Sequence, residues 1–257
     1  MQWNHSKVPD EGSPLDEPLE TDRPDFTESP TTVGQGVVQL ETGYTFTSDA
    51  EDGVHTTNHS FPETLLRVGL LTNWLEFRAD WNYEIERTKT GGTADTVSGP
   101  DDLTIGFKIA LTPQQGCLPE TGIIIDLSVP TGGDAFTSGV AQPGVNYCFS
   151  WDLNKKWSLS GSTAIGGAAD DVTNDAYMEF SQSLSLEHTW SEKTKTFTEW
   201  YVLSPIGADT NLPQEYFDAG LTFLINNDVQ WDIRAGVGLN EAADNFFAGS
   251  GLSLRYY

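Results

Sequence analysis

Residues 75 to 86, LEFRADWNYEIE, decide the fold, because apolar and polar residues alternate there without interruption. The apolar positions are Leu75, Phe77, Ala79, Trp81, Tyr83 and Ile85, and the polar positions are Glu76, Arg78, Asp80, Asn82, Glu84 and Glu86. A strand places alternate side chains on opposite faces, whereas a helix would spread these charges around its circumference. The stretch therefore predicts a β-strand with one apolar and one polar face.

The same alternation recurs along the rest of the chain. Twelve segments can be drawn, at about 37–47, 61–71, 74–87, 102–112, 121–130, 143–151, 157–166, 176–190, 196–205, 215–225, 229–239 and 246–257. The connections after the even-numbered segments are mostly short, and those after the odd-numbered segments are longer and rich in Gly, Asp and Thr. This rhythm predicts an all-β protein, a transmembrane antiparallel β-barrel of about 12 strands with both termini in the periplasm.

Composition is consistent with that fold and limits the partners. The formal net charge is -25 over 257 residues, so nucleic acid would be repelled. Hydrophobic residues make up only 37%, and no stretch approaches the roughly 18 consecutive apolar residues of a spanning helix. Residues 1–34, rich in Pro, Asp, Glu and Ser, are predicted to be an N-terminal arm, and residues 35–257 the barrel. The first residues lack the basic and apolar regions of a signal peptide, so export is expected to use a signal outside this sequence.

Tryptophan placement gives a second indication of a membrane. Five tryptophans fall within a few residues of the short connections, namely Trp74, Trp151, Trp157, Trp190 and Trp231. Amphipathic rings favour the membrane interface, so these residues predict an aromatic girdle on the periplasmic side and outer-membrane lipid as a partner. Tryptophan at strand ends could instead cover the rim of a soluble sandwich.

If the apolar faces contact lipid, the opposite faces line a lumen whose charges can be predicted. The inward acids are expected to be Glu41, Glu63, Glu76, Asp80, Glu84, Glu86, Asp102, Asp126, Glu179, Glu187, Glu199, Asp218 and Asp232, and the inward bases Arg67, Arg78, Lys108, Arg234 and Arg255. This excess of acids favours cations over anions. The same residues could instead form an ion-pair network that fills a narrow barrel.

Catalysis has no positive indication in the sequence, and we expect neither an enzyme nor a cofactor. No nucleophile elbow, phosphate loop or dinucleotide fingerprint occurs. The pair Glu76 and Asp80 has the residue types of a glycosidase site, but every alternate strand residue projects in the same way. His55 and His59 lack a third ligand, so no metal site is predicted.

The N-terminal motif Asp22, Arg23, Pro24, Asp25 and Phe26 lies in the run ETDRPDFTESP, residues 20–30. With residues 36–44 (GVVQLETGY), 65–76 (LLRVGLLTNWLE), 129–132 (VPTG) and 251–256 (GLSLRY), it resembles the family described as "Putative MetA-pathway of phenol degradation". The resemblance covers the chain from about residue 20 to its end. It implies an outer-membrane barrel that passes small, including aromatic, compounds.

The motif also predicts a position for the arm. Residues 20 to 30 are proposed to fold back against the periplasmic mouth, so that Arg23 meets lumen carboxylates and Phe26 fills a gap. A generic acidic linker is the alternative.

Two cysteines remain, Cys117 in the turn 113–120 and Cys148 near the end of the sixth segment. Both lie at the predicted periplasmic end, where the compartment is oxidising, so a disulfide between them is expected if the turn folds inward over the mouth. Two independent thiols are the alternative.

Three functions are compatible with these patterns. The first is a channel or transporter for small solutes in the bacterial outer membrane. The second is a secreted soluble β-sandwich that binds ligands, in which the apolar faces pack against each other. The third is a structural barrel without transport.

Overall fold

The computed structural model describes residues 15, 17–170, 173 and 175–256. Residues 1–14 of the predicted arm, and Tyr257 at the end of the last predicted segment, lie outside the described part of the chain. Within that part, no helix is long and apolar enough to cross a membrane. The strands are β1 (Val38–Glu51), β2 (Val54–Gly69), β3 (Leu75–Thr90), β4 (Thr93–Pro100), β5 (Leu103–Thr112), β6 (Glu120–Val129), β7 (Gln142–Asp152), β8 (Trp157–Ala169), β9 (Ala176–Ser191), β10 (Thr194–Ile206), β11 (Gln214–Asn226), β12 (Val229–Gly238) and β13 (Phe246–Tyr256).

The sheet closes on itself. β1 pairs with both β2 and β13, β2 pairs with β3, and β5 to β13 follow in chain order, every pair antiparallel. Twelve strands thus form a closed barrel and β4 is an additional strand, which confirms the predicted fold class. Closure satisfies the edge hydrogen bonds that an open sheet would leave unpaired.

The prediction of a loop at 88–101 is wrong, because β3 and β4 continue there as a hairpin. The lower half of β3 pairs with β5 and the upper half, from Tyr83 to Thr90, pairs with β4. Residues 93–98 are all exposed. A strand that is wet on both faces needs no alternation of apolar and polar residues, so the sequence pattern could not reveal it. β2 likewise begins earlier than predicted, at Val54 rather than near residue 61, because its added residues HTTNHS, 55–60, are all polar and carry no alternation of apolar and polar residues.

Burial is reversed relative to a soluble protein. The largest fully buried side chains are charged or amidic and include Arg67, Lys108 and Glu76. The apolar side chains that alternate with them are exposed, as for Phe107 at 44% and Ile125 at 48%. A soluble sandwich would bury those faces, so this alternative is excluded.

The two ends of the barrel differ. At the end where β1 begins and β13 ends, the connections are the turns 70–74, 113–119, 153–156, 192–193 and 227–228. At the other end, the first hairpins extend beyond the wall, and longer loops cover 130–141, 207–213 and 239–245. The predicted alternation of short and long connections therefore holds, apart from the tight turns at the tips of the two long hairpins.

Candidate functional site: the barrel lumen

Residues 19–36, here called the plug segment, run from one short turn to another across the mouth of the barrel. The backbone N–H of Leu19 donates to the carbonyl of Asn227 over 2.8 Å, beside the turn between β11 and β12. At the other end, the N–H of Gly36 donates to the carbonyl of Gly69 over 3.0 Å. Thr32 Oγ1 donates to the carbonyl of Asn73, in the turn between β2 and β3. Between these points the segment lies inside the lumen.

Asp22 forms the first attachment of the plug segment, here called the ionic anchor. Lys108 Nζ lies 2.8 Å from both carboxylate oxygens of Asp22, and Arg78 donates to Oδ2. Arg67 is 3.3 Å away, and it also forms ion pairs with Glu41 and Glu76. The three bases lie on the neighbouring strands β2, β3 and β5. Strand pairing brings them together, because Glu76 and Lys108 are cross-strand partners, as are Arg67 and Arg78.

The charges of the ionic anchor compensate each other. Burial alone would raise the pKa of Asp22, but Arg67, Lys108 and Arg78 outweigh burial and hold this pKa well below its usual range. The three cations share the Asp22 carboxylate, and Arg67 and Arg78 also pair with Glu76. Glu28, which accepts from Arg78 over 2.9 Å with both oxygens, adds a further carboxylate.

Arg23 lies over the lumen face of β1 and β13, between β2 and β12. Its guanidinium donates to Glu63 over 2.8 Å and to Asp232 over 3.4 Å. The wall beneath it consists of the cross-strand partners Gly43 and Gly251, and a β-carbon at either position would collide with the guanidinium. Both glycines are thus required by the close approach of this side chain.

Phe26 makes the second attachment, to a column of lumen rings here called the aromatic stack, formed by Tyr201, Tyr216 and Phe247. The Phe26 ring lies parallel to Tyr201, with centroids 4.4 Å apart. Tyr201 stacks on Tyr216 at 4.8 Å, and Tyr216 meets Phe247 edge-on at 6.0 Å. The prediction that Arg23 meets lumen carboxylates and that Phe26 fills a gap is confirmed, and the generic linker is excluded for these residues.

Glu199, next to the aromatic stack, accepts hydrogen bonds from the plug segment. The backbone N–H groups of Phe26 and Thr27 each donate to one of its carboxylate oxygens over 2.7 Å. Thr27 Oγ1 also donates to Glu199 over 2.5 Å and lies 2.7 Å from Ser183 Oγ. Asp218 faces Glu199 across the β10–β11 pair and is 1% exposed. Its carboxyl group lies within hydrogen-bond reach of that of Glu199, and no N–H or hydroxyl donor among the described residues bonds to it.

The structure places the predicted lumen residues on inward faces, in two groups. Those that contact the plug segment or its ion-pair partners are Glu41, Glu63, Arg67, Glu76, Arg78, Lys108, Glu199 and Asp232. Those beyond the plug segment, toward the long loops, are Asp80, Glu84, Asp126, Glu179 and Arg234. Asp218 lies at the level of the plug segment, beside its cross-strand partner Glu199. Asp102 lies at the break between β4 and β5, where it accepts from the N–H groups of Gly132 and Ser138.

A cavity of about 150 Å³ lies on the terminal side of the plug segment. Serine hydroxyls line much of it, from Ser150, Ser158, Ser160 and Ser185. Leu19 to Pro24 form its opposite wall. Polar walls indicate a space that holds water rather than lipid.

All five predicted girdle tryptophans lie on outward faces beside the short turns. Trp74 itself lies in the β2–β3 turn and is 39% exposed. The ring of His188 lies between Trp157 and Trp190, with centroids 4.4 Å from each.

The predicted disulfide is wrong, because both cysteines are free. Cys148 faces the lumen and is 0% exposed, whereas Cys117 is exposed. Trp151, which faces outward, donates its indole N–H to the carbonyl of Cys117 over 3.1 Å. The turn therefore packs against the outer face of the wall instead of folding inward over the mouth.

The sequence interpretation missed the aromatic stack, although its signal was present. Tyr201 is two residues from Glu199, and Tyr216 is two residues from Asp218, so each ring shares a face with a predicted lumen acid. The interpretation considered only charged residues on those faces. Among the described residues, no group of three or more His, Cys, Asp or Glu side chains could hold a metal ion.

A closed barrel with an apolar outer face, a charged lumen and an internal plug segment is the architecture of an outer-membrane β-barrel. The chain belongs to the family described as "Putative MetA-pathway of phenol degradation", whose model matches residues 21–256. None of the curated proteins is a significant match to the sequence.

Solved structures share the fold at low sequence identity. The COG4313 outer membrane channel from Pseudomonas putida F1 is 16% identical, with a TM-score of 0.68, and the match covers 92% of this chain and 100% of that chain. The transport unit of the autotransporter AIDA-I from Escherichia coli is 8% identical, with a TM-score of 0.58 and coverage of 87% and 90%. The KdgM porin in complex with disordered oligogalacturonate is 6% identical, with a TM-score of 0.53 and coverage of 86% and 99%.

Proposed function

We propose that this chain is a bacterial outer-membrane channel for small solutes, aromatic compounds among them, and that the plug segment closes its periplasmic mouth. The observation that carries the proposal is the lumen itself, whose wall is mostly polar and charged with one aromatic column, and which is crossed by a segment from outside the barrel wall. A barrel that only needed a filled interior could use its strand side chains alone. A separate segment that binds to the wall can also leave it.

The charges beyond the plug segment support a preference for cations. Asp80, Glu84, Glu86, Asp126 and Glu179 line this part of the lumen, with Arg234 as the inward base. The remaining inward bases, Arg67, Arg78, Lys108 and Arg255, are held in ion pairs with plug or wall carboxylates. The free part of the lumen therefore has a negative potential that attracts cations and repels anions.

The orientation follows from the ends of the barrel. The short turns and both termini lie on one side, which in outer-membrane barrels is the periplasmic side. The girdle tryptophans on that side match the inner interface of the membrane. The family supports passage of aromatic compounds, since its description refers to phenol degradation.

Conductance of the refolded full chain in planar bilayers tests the proposal. The native channel should show small or intermittent currents, and deletion of residues 1–30 should enlarge them. In the open variant, replacing Asp80 with Asn and both Glu84 and Glu86 with Gln should lower the ratio of cation to anion permeability, most clearly at low salt, where screening is weakest. Asp134→Asn, in an exposed loop, is the matched control and should leave the ratio unchanged.

Two outcomes would contradict the proposal. An open variant that prefers anions would show that the acidic lumen does not set selectivity. A folded deletion variant with no current for any ion or solute would favour the structural barrel without transport, which the buried contacts of the plug segment also permit.

A further inference from the structure

One end of the aromatic stack is covered by the ring of Phe26, which belongs to the plug segment and not to the barrel wall. Tyr201 and Tyr216 come from neighbouring wall strands and lie nearly parallel, with an angle of 20° between their planes. Phe26 extends this column by one ring, at an angle of only 9° to Tyr201. If the plug segment leaves, one face of Tyr201 is left without a stacking partner.

The same departure leaves Glu199 without donors. Its two oxygens accept three hydrogen bonds from the plug segment, from the N–H groups of Phe26 and Thr27 and from Thr27 Oγ1. Asp218, opposite Glu199, is buried, lies within hydrogen-bond reach of the Glu199 carboxyl group, and receives no N–H or hydroxyl donor among the described residues even while the plug segment is bound. A buried carboxylate without donors is costly, so this place is prepared for a group that brings hydrogen-bond donors and positive charge.

Arg234 does not supply that group. Its guanidinium carbon lies 5.2 Å from the centre of the Phe247 ring, in a cation–π arrangement at the far end of the stack. Its Nε has no hydrogen-bond partner among the described residues. One cation thus lies near two buried wall acids, Glu199 and Asp218.

We propose that the place filled by Phe26 and the adjoining N–H groups is a binding subsite for a small aromatic cation, a ring that carries a protonated amine, and that such a ligand displaces the plug segment. The ring stacks on Tyr201 in place of Phe26. The ammonium group, with three N–H donors, donates to both oxygens of Glu199 in place of the plug segment and has one donor left for Asp218. The plug segment resembles the ligand in its chemistry, with an aromatic ring next to N–H donors. The proposal rests on the channel function proposed above and names one class of solute for it.

Binding of 2-phenylethylamine to the full chain in detergent micelles tests the proposal without requiring transport. Phe26→Ala removes the competing ring. This variant should therefore bind 2-phenylethylamine about tenfold or more tightly than the native protein does. In that background, Tyr201→Leu and Glu199→Gln should each lower the affinity about tenfold. Asp134→Asn removes the same charge as Glu199→Gln at an exposed loop and should have no effect. Heat-modifiable gel mobility verifies that each variant is folded, and Tyr201→Leu keeps the test decisive if Glu199→Gln fails to fold.

Two analogues separate the contributions of ring and charge. 2-Cyclohexylethylamine keeps the amine without the aromatic ring, and 2-phenylethanol keeps the ring without the charge. Each should bind about tenfold more weakly than 2-phenylethylamine. Equal binding of the cyclohexyl compound would overturn the aromatic subsite, and equal binding of the alcohol would overturn the requirement for a cation. No gain on Phe26→Ala would overturn the competition. Because binding is measured in micelles, a channel that never conducts would disprove the proposed function and still leave this result readable.

Discussion

The two attachments of the plug segment lie on opposite walls of the barrel and differ in chemistry. The ionic anchor binds Asp22 to β2, β3 and β5, and the aromatic stack binds Phe26 from β10, β11 and β13. β3 and β10 are six strands apart in a ring of twelve, so the segment spans the lumen between them. At the ionic anchor Arg67, Arg78 and Lys108 each have a carboxylate partner. Beside the aromatic stack, Asp218 receives no N–H or hydroxyl donor among the described residues. The first wall is therefore suited to holding the segment, and the second to exchanging it for a ligand.

A buried cysteine of the native chain can report whether the plug segment is bound to the lumen wall. Cys148 is 0% exposed, and both of its cross-strand neighbours, Gly122 and Ser162, contact the plug segment. A β-carbon at Gly122 would meet the carbonyl of Pro30, and the Ser162 hydroxyl accepts from the N–H of Glu28 over 3.0 Å. Cys148 should thus react with a small thiol reagent only when the segment leaves. In a Cys117→Ser background, which removes the exposed thiol, its labelling rate measures undocking.

The largest effect is expected from Asp22→Asn. The substitution removes the carboxylate that Arg67, Arg78 and Lys108 share, and loss of one partner from a buried ion pair costs about 3 to 5 kcal/mol. The labelling rate of Cys148 should rise by roughly two to three orders of magnitude. Asp134→Asn should leave the rate unchanged. An unchanged rate in the folded Asp22→Asn variant would mean that the ionic anchor does not hold the plug segment.

Phe26→Ala should have a smaller effect. Burial of part of a phenyl ring contributes about 1 to 2 kcal/mol, and stacking on Tyr201 adds about 0.5 to 1.5 kcal/mol. The Cys148 labelling rate should therefore rise by about one to two and a half orders of magnitude. Phe26→Leu keeps most of the apolar volume without the stacking and should fall between the native protein and Phe26→Ala. A larger rise for Phe26→Ala than for Asp22→Asn would reverse the assignment of the two walls.

The sequence predicted the barrel because lipid and lumen impose opposite demands on alternate residues. In β3 this demand acts over the membrane-spanning part, where Glu76, Arg78 and Glu84 are buried and the alternating Trp81 and Ile85 are exposed. Beyond the membrane the demand ends, so β4 was taken for a loop. The contact of Arg23 with lumen carboxylates could be predicted, because it is the single cation in an acidic run and the predicted lumen contains an excess of acids.

Two features could not be derived from local pattern. The pairing of Asp22 with Lys108 joins positions 86 residues apart, and it depends on which strands the plug segment crosses. The failed disulfide had the same cause. Whether the turn at Cys117 folds inward or outward depends on its contact with Trp151 and not on the cysteines.

The smallest expected effect on undocking concerns Thr27, which lies between Phe26 and Glu28 in the plug segment. Its hydroxyl donates to Glu199 and contacts Ser183, whereas its backbone N–H makes a separate bond to the same carboxylate. Thr27→Val keeps the shape and the N–H but loses the hydroxyl. Since Glu199 retains two donors, the loss should lie near the low end for hydrogen bonds to charged groups, about 1 to 1.5 kcal/mol. The Cys148 labelling rate should rise about tenfold, and Thr27→Ser, which keeps the hydroxyl, should stay close to the native rate. If instead Thr27→Ser raises the rate and Thr27→Val does not, the methyl group and not the hydrogen bond joins Thr27 to the wall. If both variants keep the native rate, the side chain contributes nothing to docking, and Glu199 holds this part of the plug segment through the backbone N–H groups of Phe26 and Thr27 alone.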